Sequence, residues 1–192
     1  MIVGITGGIG SGKSAVLDIL KEEYGAHIIK ADDVAKDVMV NDSECVSKIK
    51  EAFADESYNE DGSLNKAYIS GVIYKDESKR ELINSIVHPI VQRRIIDEIC
   101  NVRNKLICIE AALLIESGYT SMCDEVWYVY CEINERKRRV LSSRNMTEEK
   151  FNSIVKSQLS EEEFKINTDK LINNSFDKDF TRKEVQRVLV WG

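Results

Sequence analysis

Eight residues near the start of the chain have the types and spacing that bind a nucleoside triphosphate. Residues 7–14 read GGIGSGKS and match the pattern GxxxxGK[ST] in full. Glycines let the backbone wrap closely around phosphates with its N–H groups pointing inward, and the N-terminus of a following helix adds partial positive charge. Lys13 can then reach the β- and γ-phosphates, and the Ser14 hydroxyl can bind Mg²⁺. The pattern predicts a phosphate-binding loop, the P-loop.

Two other interpretations of this glycine-rich segment are weaker. A ligand-free turn would have to match the whole pattern by chance, and a dinucleotide-binding GxGxxG lacks its third glycine at the required spacing. The residues before the glycines, Ile2–Thr6, are apolar and mostly β-branched, which predicts a buried strand. Those after them, Lys13–Tyr24, carry apolar residues at helical spacing. A strand before the loop and a helix after it are the context that phosphate binding requires.

Acidic residues follow two further predicted strands. Asp32 and Asp33 come after an apolar segment at 27–29, and Glu110 comes at the end of the strand predicted at 105–109. In open α/β sheets ligands bind beyond the carboxyl ends of strands, so either aspartate could accept a proton from an attacking hydroxyl. Either could instead cap the next helix. Glu110 could bind the water shell of Mg²⁺, or it could be a surface residue just past a strand.

Basic residues form two groups that could hold phosphates. Residues 136–139, RKRR, lie in a predicted helix, with Arg144 at its end before a polar turn. Arginines beside a transferring phosphoryl group stabilise its charge, although such a run more often marks a solvated helix face. Arg144 is the strongest candidate of this group. Arg80 and residues 93–94 lie on either side of His88 and would face an anionic substrate bound there. A single histidine is more often structural.

Strands and helices alternate along the chain. Further strands are predicted at 125–130 and 170–172, so the pattern predicts a three-layer α/β fold with a parallel sheet of about five strands. Ser160 with Glu163 and Thr181 with Glu184 match capping boxes, and Pro89 is expected to open a helix. Residues 41–88 show no convincing strand and are interpreted as a mainly helical insertion. Their polar middle, residues 55–65, is expected to be an exposed loop.

Composition excludes several classes of protein. The chain has 192 residues and a formal net charge of −6, which disfavours general nucleic-acid binding. The longest apolar stretches, 111–115 and 126–131, are far shorter than the ~20 residues that span a bilayer. Five cysteines without CxxC spacing make a disulfide framework or structural zinc site improbable. No linker composition divides the chain. We therefore expect one cytoplasmic domain over residues 1–192, without a membrane or nucleic-acid partner.

Several segments taken together resemble the dephospho-coenzyme A kinase family. They occur in the same order as in that family and read IVGITGGIGSGKSAV, IIKADDVAKDV, RELINSIVHPIV, IEAALLIESGY, SSRNMTEEKFNSIVKSQLS and TDKLINN. The glycine-rich segment is shared with many kinases, whereas the ordered set is far more specific. The resemblance implies a P-loop kinase fold, with the strand order of nucleotide kinases. It also implies transfer of the γ-phosphoryl of ATP to the ribose 3′-hydroxyl of dephospho-CoA, the last step of coenzyme A synthesis.

The resemblance also implies roles for particular residues. The implied ATP-binding residues are Gly8, Gly10, Ser11, Gly12, Lys13, Ser14, Ala15 and Arg144, and the implied catalytic residues are Asp32, Lys13 and Arg144. Asp32 would be the base for the 3′-hydroxyl. The implied substrate contacts are Thr6, Asp32, Arg80, His88 and Leu114, and the implied Mg²⁺ ligands are Ser14 and Glu110. The insertion at about 41–88 would cover the acyl-carrier end of the substrate, and residues 136–165 would form a helical lid.

This chain departs from the family pattern at several positions. Lys30 stands where the family usually has the first aspartate, which puts a cation beside the presumed reaction centre. Glu110 replaces an aspartate, and Ala112 replaces a proline. Ser175 and Phe176 stand where a glycine is expected after Asn174. These departures leave the exact acceptor open.

Two other functions remain as alternatives. The first is another small-molecule P-loop kinase that acts on a nucleoside, a nucleotide or a related alcohol, and Lys30 is the best argument for it. The second is a non-catalytic nucleotide-dependent switch, which the acidic and lid-like arginine residues disfavour. For the kinase, the expected partner is a small-molecule substrate, and we expect a monomer or a weak homo-oligomer.

Overall fold

A computed structural model describes residues 1–143 and 146–189, and the chain divides into two compact units. The first unit comprises Met1–Ile29 and Val102–Gly192, and the second comprises Lys30–Asn101. The first unit therefore contains the predicted P-loop and Glu110. The second contains Asp32, Arg80 and His88.

A five-stranded parallel sheet forms the centre of the first unit, as the alternation of strands and helices predicts. Its order is β2-β3-β1-β4-β5. The strands are β1 (Ile2–Thr6), β2 (His27–Lys30), β3 (Ile107–Glu110), β4 (Glu125–Tyr130) and β5 (Lys170–Asn173). Central β1 pairs with β3, with Ile5 opposite Glu110, and with β4, with Thr6 opposite Tyr128. The carboxyl ends of these three strands therefore meet at one edge.

The strand predicted at 105–109 is shifted along the chain. It begins at Ile107, which pairs with Ile2, the first residue of β1. Lys105 lies before that pairing begins, and its carbonyl accepts a hydrogen bond from the amino terminus of Met1. Glu110 is consequently the last residue of β3 and is paired in the sheet, so the interpretation of it as a residue beyond the strand is wrong.

Helices surround the sheet and build the second unit. They are α1 (Lys13–Tyr24), α2 (Ala31–Asn41), α3 (Ser43–Phe53), α4 (Lys66–Lys75), α5 (Glu77–Asn101), α6 (Ile133–Ser143), α7 (Glu148–Ser157), α8 (Glu161–Ile166) and α9 (Lys178–Leu189), with 3₁₀ turns at Asp55–Ser57 and Tyr119–Met122. In the first unit, α1 and α9 share one core with the sheet through Val16, Leu20, Val185 and Val188. No helix in the described ranges is both long and apolar enough to cross a membrane.

One of the two predicted capping boxes is confirmed and the other is wrong. At α8, the Ser160 hydroxyl accepts from the Glu163 N–H, and the Glu163 carboxylate accepts from the Ser160 N–H. The last helix begins at Lys178, earlier than predicted, because the Asp177 carboxylate accepts from the Phe180 N–H at 2.8 Å and supplies the cap. Thr181 consequently lies inside α9 and is buried.

The second unit is mainly helical, as predicted, but it begins at Lys30 and ends at Asn101. Pro89 does not open a helix, because α5 continues through it. Proline removes one backbone donor there, yet Val87, Ile90 and Val91 are buried on both sides and hold the helix together. The loop expected to be exposed is partly buried as well. Ser57 and Tyr58 lie inside, and the Tyr58 hydroxyl donates to the Met39 carbonyl at 2.7 Å.

Candidate active site

The P-loop connects β1 to α1, as its sequence context predicts. Gly10 and Gly12 have φ of +75° and +85°, in the left-handed region where a side chain is strained. Across the loop, the Ser11 N–H donates to the Gly8 carbonyl at 3.1 Å. Gly12 is the N-cap of α1, and its carbonyl accepts from the Ala15 N–H at 3.0 Å. The N-terminal end of a twelve-residue helix therefore opens onto the loop.

Lys13 is held at the start of α1 by two acceptors. Its Nζ donates to the Gly7 carbonyl at 2.9 Å and lies 3.7 Å from a Glu110 carboxylate oxygen. Both side chains are mostly buried, with 14% and 16% of their surface exposed. The next residue, Ser14, is exposed in the first helical turn. Three of the predicted site residues, Lys13, Ser14 and Glu110, thus lie at the same end of the sheet.

Two buried hydroxyls beside the P-loop lack partners in the described residues. They belong to Thr6, the last residue of β1, and Ser11, and each side chain is essentially inaccessible. Buried polar atoms in native proteins are nearly always satisfied, so each such exception calls for an explanation. Because neither hydroxyl is accessible, a bound ligand would supply the missing partner only after neighbouring atoms moved. Thr6 and Ser11 were both among the predicted site residues.

Two side chains hold the peptide groups at the tip of the P-loop. The Ile9 N–H donates to Gln158 Oε1 at 2.9 Å, and Arg136 Nε donates to the Ile9 carbonyl at 2.8 Å. The guanidinium of Arg136 lies so close to Gly8 that a Cβ there would overlap it. Burial lowers the pKa of Arg136 from its ordinary value. Of the basic run at 136–139, the structure therefore brings Arg136 to the P-loop, from α6.

A third side chain at the P-loop is Asn174, just after β5. Its Nδ2 donates to the Ser11 carbonyl at 2.7 Å, and a Cβ on Gly12 would overlap this nitrogen. The sequence does not predict this role. Asn174 stands in it only as the residue before a missing glycine, and Gln158 only as part of a segment that resembles the family. No local pattern could connect either of them to the P-loop.

Two predicted site residues of the first unit remain, Leu114 and Arg144. Leu114 is fully buried, and its methyl groups pack against Gly4 in the middle of β1. In this structure it is a core residue, and a direct substrate contact would require its neighbours to move. Arg144, predicted to bind ATP and act in catalysis, lies outside the described residues.

The second unit presents the predicted aspartates in the first turn of α2. The N-cap is Lys30, so neither Asp32 nor Asp33 caps the helix and that alternative is wrong. Asp33 forms an exposed ion pair with Lys36 at 2.7 Å, and this hydrogen bond holds the pKa of Asp33 below its usual range. Asp32 and Lys30 are exposed. Asp32 is therefore accessible to a substrate hydroxyl.

Two further predicted substrate residues lie on α5. Arg80 is exposed and paired with Glu77, one helical turn away. His88 is half-buried, and burial lowers its pKa.

The two arginines that follow His88 on α5 are also paired. Arg93 forms an ion pair with Glu44, and Arg94 forms one with Asp37. The basic residues around His88 are thus engaged with carboxylates of their own unit.

Known proteins resemble this chain over nearly its whole length. The family model described as CoaE, dephospho-CoA kinase, matches residues 1–179. A dephospho-CoA kinase of Staphylococcus epidermidis is 32% identical, covering 98% of this chain and 93% of that protein. A crystal structure from Thermus thermophilus superposes with a TM-score of 0.85 at 25% identity, covering 100% of this chain and 98% of that one. A dephospho-CoA kinase from Campylobacter jejuni, 21% identical, has the same fold, with a TM-score of 0.71 over 98% and 94% of the two chains. The chain belongs to the dephospho-CoA kinase family.

Proposed function

We propose that this chain transfers the γ-phosphoryl group of ATP to the ribose 3′-hydroxyl of dephospho-CoA, giving coenzyme A and ADP. The observation that carries the proposal is the complete P-loop, with Lys13 at its base and the helix N-terminus open, in a member of the dephospho-CoA kinase family. Family membership supports the acceptor, and the P-loop supports the donor.

The phosphates of ATP would lie against the P-loop, where backbone N–H groups and Lys13 provide positive charge. The contacts would come from Gly8, Gly10, Ser11, Gly12, Lys13, Ser14 and Ala15. Lys13 would exchange the Gly7 carbonyl, now 2.9 Å from its ammonium, for the β- and γ-phosphates.

The residues beside the P-loop fit a Mg²⁺ ion. Mg²⁺ prefers oxygen ligands, keeps several waters and is usually held by one or two protein groups together with substrate phosphates. The Ser14 hydroxyl and the Glu110 carboxylate are such oxygen donors. Residues 1–143 and 146–189 contain no cluster of three or more His, Cys, Asp or Glu that would hold a metal alone, in keeping with an ion bound mainly by the nucleotide. When bound, Mg²⁺ neutralises charge on the β- and γ-phosphate oxygens.

Asp32 would be the base of the reaction. As the ribose 3′-oxygen forms its bond to the γ-phosphorus, the bond from that phosphorus to the β,γ-bridging oxygen breaks and ADP leaves. The proton of the 3′-hydroxyl passes to the Asp32 carboxylate, and the arginine at 144 would stabilise the transferring group. Catalysis would arise mainly from positioning and from stabilisation of the developing charge.

The helical segment at 41–88 would bind the acyl-carrier end of dephospho-CoA, with Arg80 and His88 contacting the substrate. Residues 136–165 would form the lid that excludes water from ATP. Thr6 and Leu114, both buried in this structure, complete the proposed substrate set and would reach the substrate once their neighbours move. We also expect a cytoplasmic location, based on the cysteine usage, and a monomer or a weak homo-oligomer, which light scattering would measure.

Incubation with ATP, Mg²⁺ and dephospho-CoA tests the reaction. ADP release should be accompanied by a mass increase of one phosphoryl group on dephospho-CoA. A panel of nucleosides, nucleotides and other ribose-bearing alcohols serves as the matched control. Phosphorylation of one of these without any phosphorylation of dephospho-CoA would contradict the proposal and favour another small-molecule kinase. The best argument for that alternative is Lys30, which stands where the family usually has an aspartate.

Adjacent aspartates allow a controlled test of the base. Asp32→Asn should keep the Kd for ATP and lower kcat by about 100-fold or more, because general-base catalysis contributes roughly 10²–10⁴-fold. Asp33→Asn, next to it and engaged with Lys36, should keep kcat within about twofold of the unaltered protein. Equal turnover by the two variants would reject the assignment of Asp32.

A further inference from the structure

A buried hydrogen-bonded pair connects the last helix to the P-loop. The Thr181 hydroxyl, on α9, donates to Asn174 Oδ1 at 2.6 Å. Asn174 Nδ2 donates in turn to the Ser11 carbonyl at 2.7 Å. All three residues are buried, with Thr181 and Ser11 each 1% exposed and Asn174 4% exposed. The main chain also fixes Asn174, since its N–H donates to the Tyr130 carbonyl at 2.7 Å.

The carbonyls around it determine the orientation of the Asn174 amide. The carbonyls of Ser11 and Gly12 both face Nδ2, at 2.7 and 3.5 Å, and carbonyls can only accept hydrogen bonds. The NH₂ group must therefore point toward the P-loop and the oxygen toward Thr181. Thr181 completes the arrangement, because its hydroxyl is the donor that the amide oxygen needs.

This pair orients the peptide group between Ser11 and Gly12. A trans peptide is planar, with its carbonyl and its N–H pointing in opposite directions. Holding the Ser11 carbonyl against Asn174 therefore aims the Gly12 N–H away from Asn174. That N–H donates to no acceptor within residues 1–143 and 146–189. An oriented N–H without a partner at the N-cap of a helix is a donor suited to an anion.

We propose that Asn174 and Thr181 are positioning residues for the ATP phosphates. They hold the Ser11–Gly12 peptide so that, before ATP binds, the Gly12 N–H already points to the place that the phosphates will occupy. This role rests on the proposed function, because the ligand is taken to be ATP. It explains why Gly12 must be a glycine beyond its positive φ, because the amide of Asn174 occupies the space of a side chain. It also assigns a role to Thr181, which reaches the P-loop through Asn174.

Thr181→Val is the decisive variant. It removes the hydroxyl with little change of volume, so the buried Asn174 amide oxygen loses its hydrogen-bond donor and the amide is held less firmly against the Ser11 carbonyl. We expect the Kd for ATP, measured by calorimetry without any acceptor, to weaken about tenfold, the scale of one buried hydrogen bond. Thr181→Ser keeps the hydroxyl and should bind ATP within about twofold of the unaltered protein.

Thr168 provides a matched control outside the P-loop. Its hydroxyl donates to the carbonyl four residues earlier, Phe164, at 2.7 Å, much as Thr181 also contacts the Asp177 carbonyl at 3.1 Å. Thr168→Val should therefore lower the thermal midpoint by a similar amount while leaving the Kd for ATP unchanged. This comparison separates a positioning role from a general loss of stability.

Three results would overturn the proposal. They are an unchanged Kd for ATP in Thr181→Val, an equal loss of affinity in Thr168→Val, and no recovery in Thr181→Ser. The proposed function is tested separately by turnover of dephospho-CoA in the unaltered protein. If that turnover is absent although ATP binds, the proposed acceptor fails while the comparison of Kd values still decides the roles of Asn174 and Thr181.

Discussion

The ammonium of Lys13 lies 3.7 Å from the carboxylate of Glu110, and the two residues come from the two separate chain segments of the first unit. Lys13 begins the helix after β1, and Glu110 ends the neighbouring β3, where it is paired with Ile5. The parallel register of the two strands is what brings these charges together. A cation that must reach phosphates and an anion suited to Mg²⁺ thus hold each other in place before substrates bind.

Glu110→Gln tests the proposed metal ligand. The amide keeps the shape of the side chain but removes the charge that attracts Mg²⁺, so the Mg²⁺ concentration giving half-maximal activity should rise about tenfold. Glu116→Gln, at an exposed position after the same strand, is the matched control and should leave the Mg²⁺ dependence unchanged. Identical titration curves for Glu110→Gln and the unaltered protein would remove Glu110 from the metal site.

Gly10 and Gly25 both have positive φ, but only at Gly10 would a side chain also collide with neighbouring atoms. Comparing alanine substitutions at the two positions therefore separates the cost of backbone strain from the cost of close packing. A Cβ on Gly10 would lie 2.7 Å from the Arg136 carbonyl oxygen and 2.8 Å from a Val140 methyl, whereas one on Gly25 would meet nothing within 4 Å. Gly25→Ala should lower the free energy of unfolding by only about 1–2 kcal/mol, the cost of the left-handed conformation. Gly10→Ala should cost clearly more and weaken ATP binding at least about tenfold. Denaturant titration and calorimetry measure both, and equal effects would refute the packing argument.

Arg136 is expected to act through the tip of the P-loop. Replacing Arg136 by Met removes the 2.8 Å hydrogen bond to the Ile9 carbonyl, so the KM for ATP should rise about fivefold to tenfold. Arg138→Met is the control, because Arg138 lies two residues away on the same helix, is exposed and is paired with Glu135. Steady-state kinetics at saturating acceptor compares the two. If both variants raise KM equally, the effect comes from net charge rather than from the Ile9 contact.

The buried cysteines should react more slowly with alkylating reagents than the exposed one, and their reaction should become faster as the pH rises. Burial raises the pKa of the Cys108 and Cys123 thiols to about 12, and the thiolate is the form that reacts. At pH 8 only about 10⁻⁴ of each would be thiolate, and the fraction grows tenfold for each added pH unit until the pKa is reached. Exposed Cys100 should therefore be alkylated first, as mass spectrometry of the folded protein would show. Early modification of Cys108 would contradict this burial.

A sequence pattern predicts a structural feature correctly when the interactions that produce the feature are local in the chain. The capping box at Ser160 was predictable because all its atoms lie within one helical turn. The box predicted at Thr181 was wrong because Asp177 is a better-placed cap, and the Thr181 hydroxyl is used across the fold instead. Pro89 was expected to begin a helix, but burial of the apolar residues around it outweighs the loss of one backbone donor.

The amino-acid sequence by itself determined that residues 7–14 form a P-loop between a strand and a helix, because glycines, lysine and serine at that spacing act within a single short segment. Only the tertiary structure decided which distant side chains hold that loop. Arg136, Gln158 and Asn174 reach Ile9 and Ser11 because the parallel sheet places the end of β1 beside β4, and β4 beside β5. Such contacts depend on strand order and register, which arise from packing of the whole unit and leave no local pattern in the chain.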